Sequence, residues 1–186
     1  ELSGRGNIFH RIKEMGLNAD LDDADARRIV QYVKDQESKG FSYEGANASF
    51  DLVLRRNLPN YEAPYELVDF MVVIENRRRS SFGTGWRKDG AEHPMLSEAT
   101  VKVRVGDEIL HTAAEGDGPV GALDGALRKG LIDAYPELSA IRLTDYKVRV
   151  VNEGVGTGAA VRVVIESADD KNVWYTVGAS TNILEA

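Results

Sequence analysis

The 186-residue sequence contains no cysteine, which excludes a disulfide framework, a thiolate nucleophile and any cysteine-ligated metal. This absence fits a cytoplasmic protein. A surplus of positive charge is also missing. There are 23 Lys and Arg against 30 Asp and Glu, for a formal charge of −7. Nucleic-acid backbones require a concentrated excess of basic side chains, so no nucleic-acid partner is expected. No apolar run reaches the roughly 18 residues of a membrane span, and Glu1–Gly16 lacks the apolar centre of a signal peptide. No membrane association is expected. The three histidines, His10, His93 and His111, stand at no metal-ligand spacing from one another. No G-x-S-x-G, phosphate-loop or serine–histidine pattern is present. No catalytic residue and no metal ligand is therefore assigned. Gly154-Val155-Gly156-Thr157-Gly158 follows a strand, but Ala159–Ile165 reads as another strand, so the glycines mark a hairpin turn. The chain begins at Glu1 without methionine and stops at Ala186 in an unfinished pattern. That favours a piece excised from a larger protein.

What is present falls into two textures, residues 1–63 and residues 64–186. The first reads as helices. Ile8, Phe9, Ile12 and Met15 recur at spacings of three and four before Gly16. Asp22, Asp23 and Asp25 suit the positive end of a second helix, whose stripe is Ile29, Tyr32 and Val33 and which Gly40 closes. A third helix is predicted from about Tyr43 to Arg56, carrying Ala46, Phe50, Val53 and Leu54, before Pro59 and Pro64 break the chain. Three short helices of this kind make a compact linker or docking piece.

The second texture repeats. Tyr65–Asn76 is YELVDFMVVIEN and Ile141–Asn152 is IRLTDYKVRVVN. At an offset of 76, Leu67 falls on Leu143, Asp69 on Asp145, Phe70 on Tyr146 and Val72 on Val148. Val101–Val105 matches Val161–Ile165 at an offset of 60, and Thr112–Ala122 matches Thr176–Ala186 at 64. These offsets predict 16 extra residues after the first strand of the first unit, around Arg77–Arg79 and Trp86, and four extra at Ala168–Asn172. Pro119 opens a helix to about Ala134 with Val120, Leu123, Leu127 and Leu131 on one face. The counterpart of Gly118 is Asn182, a good N-cap, but only Ile183–Ala186 follow, so the second helix should be absent or a stub. The fold class is α+β. A short helical subdomain precedes two βββα units, 65–134 and 141–186, which leave sheet faces that a dimer would cover.

One segment suits ligand binding. Gly116-Asp117-Gly118-Pro119-Val120 joins a strand to a helix, where glycine allows close approach and first-turn N–H groups suit a carboxylate. Its repeat mate, Ser180-Thr181-Asn182-Ile183, adds hydroxyl and amide groups. Asp145 could meet an ammonium group, and Tyr146 could cover an apolar side chain. Alternatively, these are only turns and a half-buried strand.

The stretches VKVRVGDEILHTAAEGDGPVGAL (Val101–Leu123), LTDYKVRV (Leu143–Val150) and VWYTVGASTNILEA (Val173–Ala186) closely resemble the C-terminal regulatory domain shared by isopropylmalate and citramalate synthases. Leu2–Asn7 and Lys39–Glu44 resemble the helical linker after the catalytic barrel of those enzymes, Leu2–Asn7 more in its citramalate form. The resemblance implies a homodimeric allosteric fragment, with 1–63 as linker and 64–186 as regulatory domain. It implies binding of isoleucine, alternatively leucine, for feedback inhibition of a barrel that condenses acetyl-CoA with pyruvate. The implied effector site comprises Gly116, Asp117, Gly118, Pro119, Val120, Leu143, Asp145, Tyr146, Ser180, Thr181, Asn182 and Ile183. No part matches the barrel or its metal ligands. Acetyl-CoA and a divalent metal are accordingly expected of the parent acyltransferase, and no cofactor of this fragment. The barrel is the implied partner within the parent chain, with Tyr43 a candidate for contacting a partner's active site. A purely structural dimerisation module is the competing reading.

Overall fold

The computed structural model describes residues 5–16, 22–58, 60–75, 96–151 and 156–186. The predicted loop around Arg77–Arg79 and Trp86, His93, Leu2–Gly4 and the Gly154-Val155 pair lie outside the described residues. In chain order the elements are helices α1 (Arg5–Glu14), α2 (Asp23–Ser38) and α3 (Asn47–Arg56), then strands β1 (Glu66–Glu75), β2 (Leu96–Val105) and β3 (Glu108–Gly116). Helix α4 (Pro119–Leu131) and strands β4 (Arg142–Val150), β5 (Val161–Ala168) and β6 (Val173–Ser180) follow. Two antiparallel sheets result, ordered β1-β2-β3 and β4-β5-β6. The α+β class and the repeated strand modules are as the sequence predicts. The chain forms two compact units, residues 64–139 and residues 1–63 together with 140–186. The helical segment thus shares a unit with the second strand module.

In the unit of residues 64–139, α4 covers one face of the first sheet. Ala99, Val101 and Val103 of β2, Ala114 of β3 and Ala122, Ala126 and Leu131 of α4 form its buried core. Small residues set the approach. A Cβ at Gly130 would lie 2.9 Å from Val103 Cγ2, and one at Gly116 would lie 2.5 Å from the backbone nitrogen of Ala122. The Thr112 hydroxyl donates to the Ala126 carbonyl at 2.6 Å. The predicted stripe of Val120, Leu123, Leu127 and Leu131 is therefore only partly the buried one. Leu131 is buried and Leu123 and Leu127 pack at the flank, but Val120 is exposed. Close packing selects Ala and Gly at the contact because larger side chains would hold the helix off the sheet.

In the other unit, Ile8, Ile12, Ile29, Val33, Tyr43, Phe50, Val53 and Leu54 make a buried helical core. Phe9 and Tyr32, predicted on the apolar stripes, are exposed. Asp22 caps α2, accepting from the N–H groups of Ala24 and Asp25, while Asp25 accepts from that of Asp22. Helix α3 begins at Asn47, four residues after the predicted start, because Gly45 takes a left-handed φ of 76° that interrupts a right-handed helix. Tyr43 is 3% exposed and packs between Phe41 and Phe50, so its ring faces its own core. Arg11 and Asp51 join α1 to α3 through two hydrogen bonds of 2.7 and 2.9 Å.

These helices rest on the second sheet. Val177 packs against the helical core, and the Ser49 hydroxyl accepts from the Val177 N–H at 2.8 Å. Since β6 is an edge strand, this satisfies a backbone donor that no neighbouring strand can reach. Arg162 of β5 donates to the Gly40 carbonyl, and a Cβ at Gly40 would meet Val151 at 3.2 Å.

Strand registers correct one detail of the repeat. Phe70 pairs with Val101 and Tyr146 with Ile165, so Val101 corresponds to Ile165 at an offset of 64, the value that also relates β3 to β6. The predicted offset of 60 slips this strand by four residues. Both second hairpins have one length, closing at Val105↔Glu108 and at the hydrogen bond from Asp169 N–H to Asn172 O. No four-residue insertion exists there, and the first module carries 12 extra residues before its second strand (76 less 64) instead of 16. The error has a physical source. A slip by an even number keeps every side chain on its own face, so VKVRV matches VRVVI in pattern although it pairs elsewhere. The offset of 76 for the first strands stands, and both strands interrupt their ladders at the same place, between Leu67 and Asp69 and between Leu143 and Asp145.

Two outcomes follow. Ser49→Ala leaves the Val177 N–H without its partner and should cost roughly 1–3 kcal/mol in urea unfolding; an unchanged midpoint would show that water replaces the bond freely. Burial pushes the Tyr43 phenol from 10.0 up to about 12. The raised value means stability is fully present below pH 10 and declines as pH climbs toward 12. Thermal melts of Tyr43→Phe should lack that component of the decline.

Candidate functional site

Two strand ends and one sheet face carry the residues singled out from sequence. The first strand end is Gly116–Val120. Gly118 is the N-cap of α4, in extended backbone with φ −160°, and no side chain caps the helix. Its carbonyl accepts from the Ala122 N–H at 3.0 Å. Pro119 contributes no N–H, which leaves Val120 and Gly121 as the first-turn donors aligned with the helix dipole. Asp117 is exposed, while Gly118 and Pro119 are half-buried.

The second strand end, Ser180–Ile183, forms a single turn. The Ser180 hydroxyl accepts from the Asn182 N–H and donates to Glu185 Oε2, both at 3.0 Å. Asn182 Oδ1 accepts from the Leu184 N–H at 3.0 Å, so Asn182 caps the turn as its sequence position predicts. A Cβ at Gly178 would collide with the carbonyl of Ala186, so this turn folds back over the sheet. Thr181, Asn182 and Ile183 are exposed.

The sheet face belongs to β4. Side chains of a strand alternate between faces, yet Leu143 and Tyr146, three residues apart, share one. The bulge between Leu143 and Asp145 resets the alternation, with Leu143 opposite Ser167 and Tyr146 opposite Ile165. Val148 and Val150 continue this face, opposite Val163 and Val161. Tyr146 is 50% exposed and Val150 59%, and all nine residues of β4 are exposed. Their counterparts Phe70 and Val72 pack toward α4 in the first sheet. Asp145 projects from the opposite face, opposite Glu166, with its carboxylate 3.0 Å from Lys147 Nζ. The strand therefore separates Asp145 from Tyr146.

On the second sheet, Ser180 pairs with Val161 beside Val150, at the far end of the face from Leu143. Tyr146 and Val150 are four residues apart, roughly 13 Å along a strand. The turn nevertheless reaches back along this face, because Gly178, which Ala186 overlies, is opposite Val163 beside Val148. Val148 and Val150 were not singled out for the site, although alternation from Tyr146 marks them. Among the described residues no group of three or more His, Asp or Glu is arranged to hold a metal. No helix among them is long and apolar enough to cross a membrane.

Comparison with known proteins bears on this geometry. The family model described as the LeuA allosteric (dimerisation) domain matches residues 44–186. An (R)-citramalate synthase of Geobacter sulfurreducens is 42% identical over 186 residues, covering 100% of this chain and 33% of the relative. One from Aquifex aeolicus is 40% identical with the same coverage. A 2-isopropylmalate synthase of Shewanella amazonensis is 30% identical over 184 residues, covering 99% of this chain and 30% of its own length. The chain thus spans about a third of the curated relatives it matches.

Gly116→Ala drives a methyl group into the backbone of α4 and should cost about 1–3 kcal/mol. Gly118→Ala, where a Cβ meets nothing within 4 Å, should change stability little. Urea denaturation of the two variants checks this, and equal midpoints would contradict the close approach at Gly116.

Proposed function

Because the chain belongs to the LeuA allosteric (dimerisation) domain family, we propose that it is the amino-acid-sensing segment of a citramalate synthase. In this reading it forms a homodimer, binds isoleucine and inhibits the condensation of acetyl-CoA with pyruvate. The catalytic barrel, its divalent metal and its substrates belong to the rest of the parent protein. A cytoplasmic setting goes with that role. The observation that carries the reading is the open apolar face of Leu143, Tyr146, Val148 and Val150. It supplies branched aliphatic and aromatic surface of the kind that covers an isoleucine side chain.

Chemistry assigns the remaining parts. First-turn N–H groups at Gly116–Val120 suit the ligand carboxylate. Asp145 faces away from Tyr146 and is paired with Lys147, so the ligand ammonium falls to backbone carbonyls. In a homodimer, a second copy of the chain is available to contribute to this site. The helical segment, bound to β6 through Ser49, would carry the signal onward as the linker.

Identity to both citramalate and isopropylmalate synthases makes leucine sensing the second reading. The two ligands differ only in branch position, and apolar pockets resolve a methylene by about 1–3 kcal/mol, so discrimination should be modest. Titration calorimetry on the 186-residue chain should show saturable binding with isoleucine ahead of leucine. Tyr146→Ala should weaken it without unfolding the chain, and sedimentation should give a dimer. Tighter leucine binding would move the assignment to isopropylmalate synthase. A dimer that binds neither would leave a purely structural module.

A further inference from the structure

The bulge that brings Leu143 and Tyr146 onto one face is held differently in the two modules. In the first, the strand beyond the bulge is anchored by packing, since Phe70 and Val72 lie against the core under α4. The bulged residue there is Val68, and Lys102 reaches Asp69 only at 4.0 Å. In the second, all nine residues of β4 are exposed, so packing cannot fix the bulge. A polar clasp stands in its place. Thr144 Oγ1 lies 2.7 Å from Glu166 Oε1 and 3.2 Å from the Glu166 carbonyl oxygen. Glu166 is the residue opposite Asp145, where the ladder resumes. Hydrogen bonds from Thr144 and then from Tyr175 hold the Glu166 carboxyl below the ordinary carboxylate range. Three residues from three adjacent strands thus meet beneath the bulge, on the face opposite Leu143 and Tyr146.

We propose that Thr144 and Glu166 are a positioning pair for the amino-acid site: from the back of the sheet they fix the bulge that aligns Leu143 with Tyr146 on the front. This rests on the reading of that face as the aliphatic wall of an effector site. The pair touches no ligand. Its influence passes through the β4 register, because losing the bulge would turn either Leu143 or Tyr146 to the wrong face. The clasp therefore tunes affinity from a position that a list of contact residues would miss.

The test uses the 186-residue chain and four variants. Thr144→Val keeps the shape and removes the hydroxyl, Thr144→Ser keeps the hydroxyl, and Glu166→Ala removes the acceptor. The fourth combines Thr144→Val with Glu166→Ala. Isoleucine binding by calorimetry should weaken roughly five- to tenfold in Thr144→Val and in Glu166→Ala, the worth of one hydrogen bond. Thr144→Ser should restore it, and the double variant should lose less than the sum of the two singles, since the Thr144–Glu166 side-chain bond is common to both. Nuclear Overhauser contacts pairing Leu143 with Ser167 and Asp145 with Glu166 report the register without ligand. They should weaken in the Thr144→Val and Glu166→Ala variants and persist in Thr144→Ser. Wild-type binding with unchanged affinity in both single variants, or additive losses in the double, would overturn the clasp alone. If the unmodified chain binds neither isoleucine nor leucine, the effector reading fails and the positioning role with it, even where the register contacts respond.

Discussion

A three-stranded sheet has two faces and cannot hide either by itself, and the rest of this structure follows from how that constraint is met. In the unit of residues 64–139, α4 is laid on one face and brought close by alanine and glycine at the contact. In the other unit the cover comes from a different part of the chain. The helices of residues 5–56 take the face of the second sheet that carries Val177, fastened by Ser49 to the free edge of β6. The opposite face keeps Leu143, Tyr146, Val148 and Val150 in the open. The main covers of the two modules thus lie on opposite sides, with the Asn182 turn folded over part of the remaining face at Gly178. Duplication leaves an apolar strip of β4 exposed because the covers differ.

The bulge gives that surface its order. Without it, Leu143 and Tyr146 would project from opposite sides of β4 and could not share a ligand. With it, they line up with Val148 and Val150 along one strip. The same irregularity at Leu67–Asp69 in the first module shows that it belongs to the repeated unit. What the second module adds is the polar clasp behind it.

Much of this was legible beforehand, and the exceptions have physical causes. Alternation and caps announced the strands, the helix opened by Pro119 and the turn capped by Asn182. The pairing register of β2 and β5 is hidden in the sequence because β-branched strands look alike after an even slip, while hydrogen-bonding partners are not written in composition. Phe9, Tyr32 and Val120 fall on apolar stripes yet are exposed in the fold, since helical period gives a face but not what rests on it. Within the candidate site, Tyr146 and Leu143 share a face as an effector would require. Asp145 does not, because a single bulge exchanges which neighbour keeps company with Tyr146. That inversion depends on a ladder interruption that no residue type signals by itself.

Whether the open face of β4 receives an amino acid is decided by methyl-labelled NMR of the 186-residue chain during titration with isoleucine. Saturable shifts are expected at Leu143, Val148 and Val150, with the methyl groups of Ile29 and Val33 in the helical core left in place. Saturable shifts confined to that core, or none on β4, would contradict binding at that face.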